Sequence, residues 1–169
     1  MILSGALSVL SGYFLINPIL WVLIASRKVL TFATQFENSI NMLEKGLQHT
    51  SSTVVSAANS ARTMGSGDLD VFATPSMVAL MENAAMLAVA SELPEGSTTV
   101  GAQMNTSHIK PSPLGETISA TATLQEADGR KLTFSVVAQD SKGTIGEGTH
   151  IRFIVDKEKF LSKIYPTNK

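Results

Sequence analysis

Residues 71–93 read VFATPSMVALMENAAMLAVASEL, and this stretch decides the fold. Thr74-Pro75 is a helix start. Threonine is a preferred N-cap, and proline suits the first helical position, where its missing N–H would have no partner anyway. The spacing predicts a helix from Pro75 to about Ser91. Between those ends Glu82 is the only charged residue. Met77, Val78, Leu80, Met81, Ala84, Ala85, Leu87, Ala88 and Val89 cover nearly every face, and a helix apolar all round is a buried one. Leu93-Pro94-Glu95-Gly96 closes it as a turn.

Working outward, the sequence reads as a strand, this helix, then four strands. Thr53–Arg62 is read as a short strand, and Met64–Asp68 as a loop, since two glycines and an aspartate interrupt any periodicity. Downstream, Thr98–Ile109 places Val100, Ala102, Met104, Thr106 and His108 on one face. Thr117–Glu126 alternates Ile118, Ala120, Ala122 and Leu124 with threonine and serine. Asp128-Gly129 makes a hairpin turn. Leu132, Phe134, Val136 and Ala138 line a face of the next strand, and Thr144–Val155 is the last. Turns this short imply an antiparallel meander. One long buried helix against such a sheet is an α+β, two-layer domain. An antiparallel sheet wrapped around one central helix is the hot dog arrangement. This helix is too apolar for one small sheet to cover, so a homodimer or higher homo-oligomer is expected.

The composition describes two objects. Of 169 residues, 44% are hydrophobic and only 16% charged, against about 25% charged in an average soluble chain. The deficit sits in residues 1–26, which carry no charge and 18 apolar side chains. That length can cross a bilayer core, which needs about 20 apolar residues. Arg27 and Lys28 follow and would hold the rest of the chain on the cytoplasmic side. The segment is therefore read as a membrane anchor or as the product of a start codon called too early, with Met42 as the alternative start. Residues 27–50 are an amphipathic helix or linker, its stripe running Val29, Ala33, Phe36, Ile40, Leu43 and Leu47. Residues 51–160 form the globular domain and 161–169 a tail.

Several chemistries drop out. Without cysteine there is no disulfide, thiolate nucleophile or Cys-based metal site. His49, His108 and His150 lie far apart, so no metal or other cofactor is expected. A net charge of −1 and the lack of a basic stripe argue against nucleic acid.

Three residues remain as candidates for chemistry. A carboxylate on a buried helix, Glu82, is costly without partners and suited to acid–base or nucleophilic work. Thr74 lies eight residues earlier, about two turns away, on roughly the same side of the helix. Its hydroxyl is at the positive end of the helix dipole, where developing negative charge is favoured. His108 puts a titratable group at the end of a core-facing strand. His150 shares its face with Gly146, Gly148 and Arg152 and is read as partly exposed.

GSGDLDVFATPSMVALMENAA (65–85), LPEGSTTVGAQMNTSHIKPSPLGETISATA (93–122) and DGRKLTFSVVAQDSKGTIGEGTHIRFIVD (128–156) together resemble the fluoroacetyl-CoA thioesterase-like family of hot dog proteins. The resemblance runs from about residue 42 to 160. It implies a catalytic set of a threonine at the helix start, a glutamate eight residues on and a histidine twenty-six beyond. Thr74, Glu82 and His108 match both spacings. It also implies that the Gly101 backbone lies beside the acyl group.

The implied reaction is hydrolysis of a short- or medium-chain acyl-CoA to the free acid and CoA, with CoA entering only as part of the substrate. Glu82 would be nucleophile or general base, Thr74 its partner, and His108 the base that activates water or deprotonates the substrate. Lys110, Arg130, Lys131 and Arg152 are candidates for the CoA phosphates. Fluoroacetyl selectivity does not follow from these residues. The rival reading is a non-catalytic module that binds an acyl-CoA or an acyl carrier protein, since one fold hosts both kinds.

Overall fold

The structure, a computed structural model, describes Leu30 and residues 43–165. The apolar segment 1–26 and Met42 lie outside the described residues. Among the described residues no helix is long and apolar enough to cross a membrane.

Strand β1 (Gln48–Val54) leads through a 3-10 turn (Ala57–Asn59) and a one-turn helix α1 (Ala61–Met64) to the long helix α2 (Thr74–Val89). Strands β2 (Ser97–His108), β3 (Thr117–Asp128), β4 (Lys131–Asp140) and β5 (Gly143–Asp156) follow, then a short helix α3 (Lys157–Ile164). All five strands form one antiparallel sheet in the order β1-β3-β4-β5-β2. It curls around α2, whose Met77, Met81, Ala84, Ala85, Ala88 and Val89 are buried. Facing them are the buried rows Ile118, Ala120, Ala122 and Leu124 of β3 and Leu132, Phe134, Val136 and Ala138 of β4. This is the expected α+β hot dog architecture.

Four local expectations give way. The first strand occupies Gln48–Val54 rather than Thr53–Arg62, because Ser56 and Ser60 open helical turns there. The Ser60 hydroxyl accepts from the Thr63 N–H, and Asn59 accepts from the Ser56 N–H. Leu43 and Leu47 of the amphipathic stripe are not helical, since residues 43–47 form an irregular lead into β1, and Val29, Ala33, Phe36 and Ile40 lie outside the described residues. The meander holds only for β3-β4-β5. The eight residues between β2 and β3 are too many for a tight hairpin, and β2 crosses to the far edge to pair with β5.

The row along β2 is also broken. Gly101 pairs with Arg152 and Gln103 with Ile151, so Ala102 is an extra residue, a β-bulge. Cross-strand partners share a face. Thr99 and Gly101 therefore face α2 before the bulge, and Met104, Thr106 and His108 after it. Val100, opposite the part-exposed Phe153, faces outward.

β2 lies so close upon β5 that a Cβ on Gly148 would collide with the Asn105 carbonyl oxygen, and it would stand 2.7 Å from Thr106 Cα. Backbone atoms cannot swing aside as a flexible side-chain tip can. Gly148→Ala is thus expected to cost about 3 kcal/mol, the upper end for overpacking. A urea midpoint unchanged from the parent chain would refute this.

Candidate active site

Helix α2 begins unconventionally. Its N-cap is Ala73, which offers no side-chain acceptor, so Thr74 is already inside the helix rather than capping it. The Thr74 hydroxyl is thereby spared, and Oγ1 lies 2.9 Å from Nδ1 of His108 at the end of β2. Thirty-four residues of sequence separate this pair. The loop that follows β2 holds it in place: the Phe72 N–H donates to the Ser112 carbonyl at 2.9 Å, and Val71 bridges Pro113. The Phe72 ring meets the His108 imidazole edge-on, with centroids 6.4 Å apart. Asp140 at the end of β4 secures the same loop, accepting from Lys110 Nζ at 2.9 Å and from the Ser112 hydroxyl at 3.2 Å. The Lys110 bond holds the Asp140 carboxyl below its ordinary range.

Burial lowers the pKa of His108 below 6.5, the Lys110 backbone opposing this more weakly. The imidazole is accordingly neutral at neutral pH, the form a general base requires. Its Nε2 is buried and has no hydrogen-bond partner among the described residues. Beside the pair opens a cleft of about 280 Å³, lined by Phe72, Thr74, His108, Ile109, Lys110 and Pro111.

Glu82 belongs to a second group. It lies eight residues along α2 from Thr74, about 12 Å at 1.5 Å per residue. Its carboxylate faces Gly101, where a Cβ would stand 3.2 Å from Glu82 Oε1 and 3.2 Å from His150 Cε1. One chain thus brings Thr74 and His108 together, and separately Glu82 and Gly101.

Among the cations, Lys110 sits at the cleft and is bound to Asp140. Arg130, in the β3–β4 turn, and Lys131, the first residue of β4, are exposed. Arg152 is not at the surface. Only 5% of it is accessible, and its Nε and Nη2 donate to the Thr99 hydroxyl and carbonyl, each at 2.8 Å. His150, expected to be partly exposed, is fully buried. The signal for both was the fully buried Ile154, which shares their face of β5.

Residues 55–158 match the family described as fluoroacetyl-CoA-specific thioesterase. The fluoroacetyl-CoA thioesterase of Streptantibioticus cattleyicolor is 40% identical over 95 residues, which is 56% of this chain and 68% of that one. A solved structure of the fluoroacetyl-CoA thioesterase superposes with a TM-score of 0.69 at 32% identity, covering 75% of this chain and 98% of the other. A thioesterase superfamily member from Thermus thermophilus gives a TM-score of 0.68 at 25% identity, over 73% of this chain and 91% of that one. The chain belongs to the fluoroacetyl-CoA-specific thioesterase family, hot dog-fold thioester hydrolases.

Proposed function

We propose that the substrate is a short- or medium-chain acyl-CoA and that Thr74, His108 and Glu82 carry its hydrolysis. The observation behind this reading is the Thr74–His108 pair, set at the N-terminus of α2 beside a cleft. A neutral imidazole bonded to a hydroxyl is a base next to a potential nucleophile. The helix N-terminus supplies unpaired N–H groups that favour the oxyanion of a tetrahedral intermediate. A volume of about 280 Å³ is at the small end for ligand pockets, which favours a short acyl group. Lys110 and Arg130 remain candidates for the CoA phosphates. The burial of Arg152 takes it out of that role.

The separation of Glu82 from the pair supports a site assembled from two copies. Among the described residues β2 is a sheet edge of twelve residues with no strand beside it, and such edges recruit another strand. Antiparallel pairing of two β2 edges, centred midway between Gly101 and His108, would carry Glu82 of one copy toward Thr74 and His108 of the other. The outward apolar residues of α2, including Leu87 at 38% exposure, gain cover in the same step.

Thiol release from the full chain, measured with acyl-CoAs from acetyl through fluoroacetyl to octanoyl, tests the proposal. Turnover that peaks among short or medium chains is expected. A folded protein that binds CoA yet turns over none of them would overturn it.

A further inference from the structure

Behind Glu82 lies a buried polar cluster to which the proposed chemistry assigns no task. His150 on β5 is fully buried. Its Nδ1 is 2.8 Å from the Gln103 carbonyl, and its Nε2 is 3.1 Å from Nη1 of Arg152. Guanidinium has donors only, so Nε2 must accept and Nδ1 must carry the ring hydrogen, donating it to Gln103. The tautomer is fixed by its neighbours. Desolvation first, then the Arg152 charge, lowers the pKa of this imidazole, with the Gln103 bond and Glu82 acting the other way.

Arg152 is held from three elements. Thr99 of β2 takes Nε and Nη2, His150 of β5 takes Nη1, and the Glu82 carbonyl of α2 stands 3.5 Å from Nη1. Among the described residues, no carboxylate is within ion-pair distance of it. The nearby charge acting on it is that of Glu82. A buried cation held by neutral groups is costly, and this one is fixed where its field falls on the Glu82 carboxylate beside Gly101.

We infer that His150 is a positioning residue for Glu82. Through Nε2 it sets the Arg152 guanidinium against the Glu82 environment, and through Nδ1–H it ties that arrangement to the bulged backbone of β2. The inference rests on Glu82 being catalytic. His150 is fully buried and acts through Arg152.

The test compares His150→Leu, which keeps the bulk and removes the acceptor, with His150→Gln, whose Oε1 reaches the Nε2 position. His150→Leu should lower kcat roughly 10- to 100-fold, the scale of a misplaced catalytic group, with KM within about threefold. His150→Gln should recover most of the loss. If His150→Leu does not fold, His150→Asn carries the test. It keeps a donor for Gln103 but offers nothing at Nε2, and the same fall in kcat is expected. In a Glu82→Gln background, His150→Leu should add no further loss. Equal kcat in the Leu and Gln variants, or loss that only follows the folded fraction in urea, overturns the inference. Undiminished activity in Glu82→Gln alone would instead mark the failure of the underlying reading of Glu82.

Discussion

Glu82→Gln is expected to reduce thioester hydrolysis by about 10³-fold in kcat, within the range for removing a positioned acid–base or nucleophilic group. The amide keeps the size and shape of the carboxylate, so the packing around Gly101 survives and KM should change little. What goes is the negative charge and the lone pair that attacks the carbonyl or orders a water. If the two-copy site is correct, mixing this variant with His108→Ala gives a further result. Two inactive chains would form mixed dimers with one intact site, and equal mixing should recover about a quarter of parental activity by the symmetry of a two-fold pair. No recovery from verified mixed dimers would place all three residues of each site within one chain.

His108→Ala should lose between 10² and 10⁴ in kcat, and its second signature lies in pH. Burial lowers the His108 pKa from 6.5, so the charged form is disfavoured and the base form persists below that value. The acid limb of kcat/KM, which reports the free enzyme, should therefore fall below pH 6.5. It should vanish from the residual activity of His108→Ala. An unaltered acid limb in the variant would assign that ionisation to another group and remove His108 from the role of base.

The two layers were legible because they rest on local patterns. The all-apolar helix with a Thr-Pro start needs nothing beyond its own residues. Neither do the alternating rows of β3 and β4, whose burial follows the expected alternation residue by residue. Thr74 and His108 were legible through the family resemblance, whose spacings they match, and the structure adds that they bond to each other. Hidden features depend on distant partners. Period-two reading carried Val100 onto the wrong face because the extra residue at Ala102 shifts the phase, and only the β5 register reveals it. Arg152 looked like a surface cation because a long charged side chain reads alike whether it meets water or Thr99. The crossing of β2 to the far edge is a property of pairing between residues 38 to 59 positions apart, which no window of sequence contains.

The bulge at Ala102 makes backbone phase, rather than side-chain identity, the protected quantity along β2. One strand serves two stations, presenting Gly101 to Glu82 on one side of the bulge and His108 to Thr74 on the other. Seven positions separate them, an odd number that simple alternation would place on opposite faces, and the extra residue at the bulge brings both back toward the helix, whatever the remaining side chains are. The seven-residue interval from Gly101 to His108 thus works only with the bulge inside it. Substitutions at its outward positions are tolerable drift, whereas straightening the bulge with every residue kept would turn the two stations to opposite faces while leaving every functional residue present.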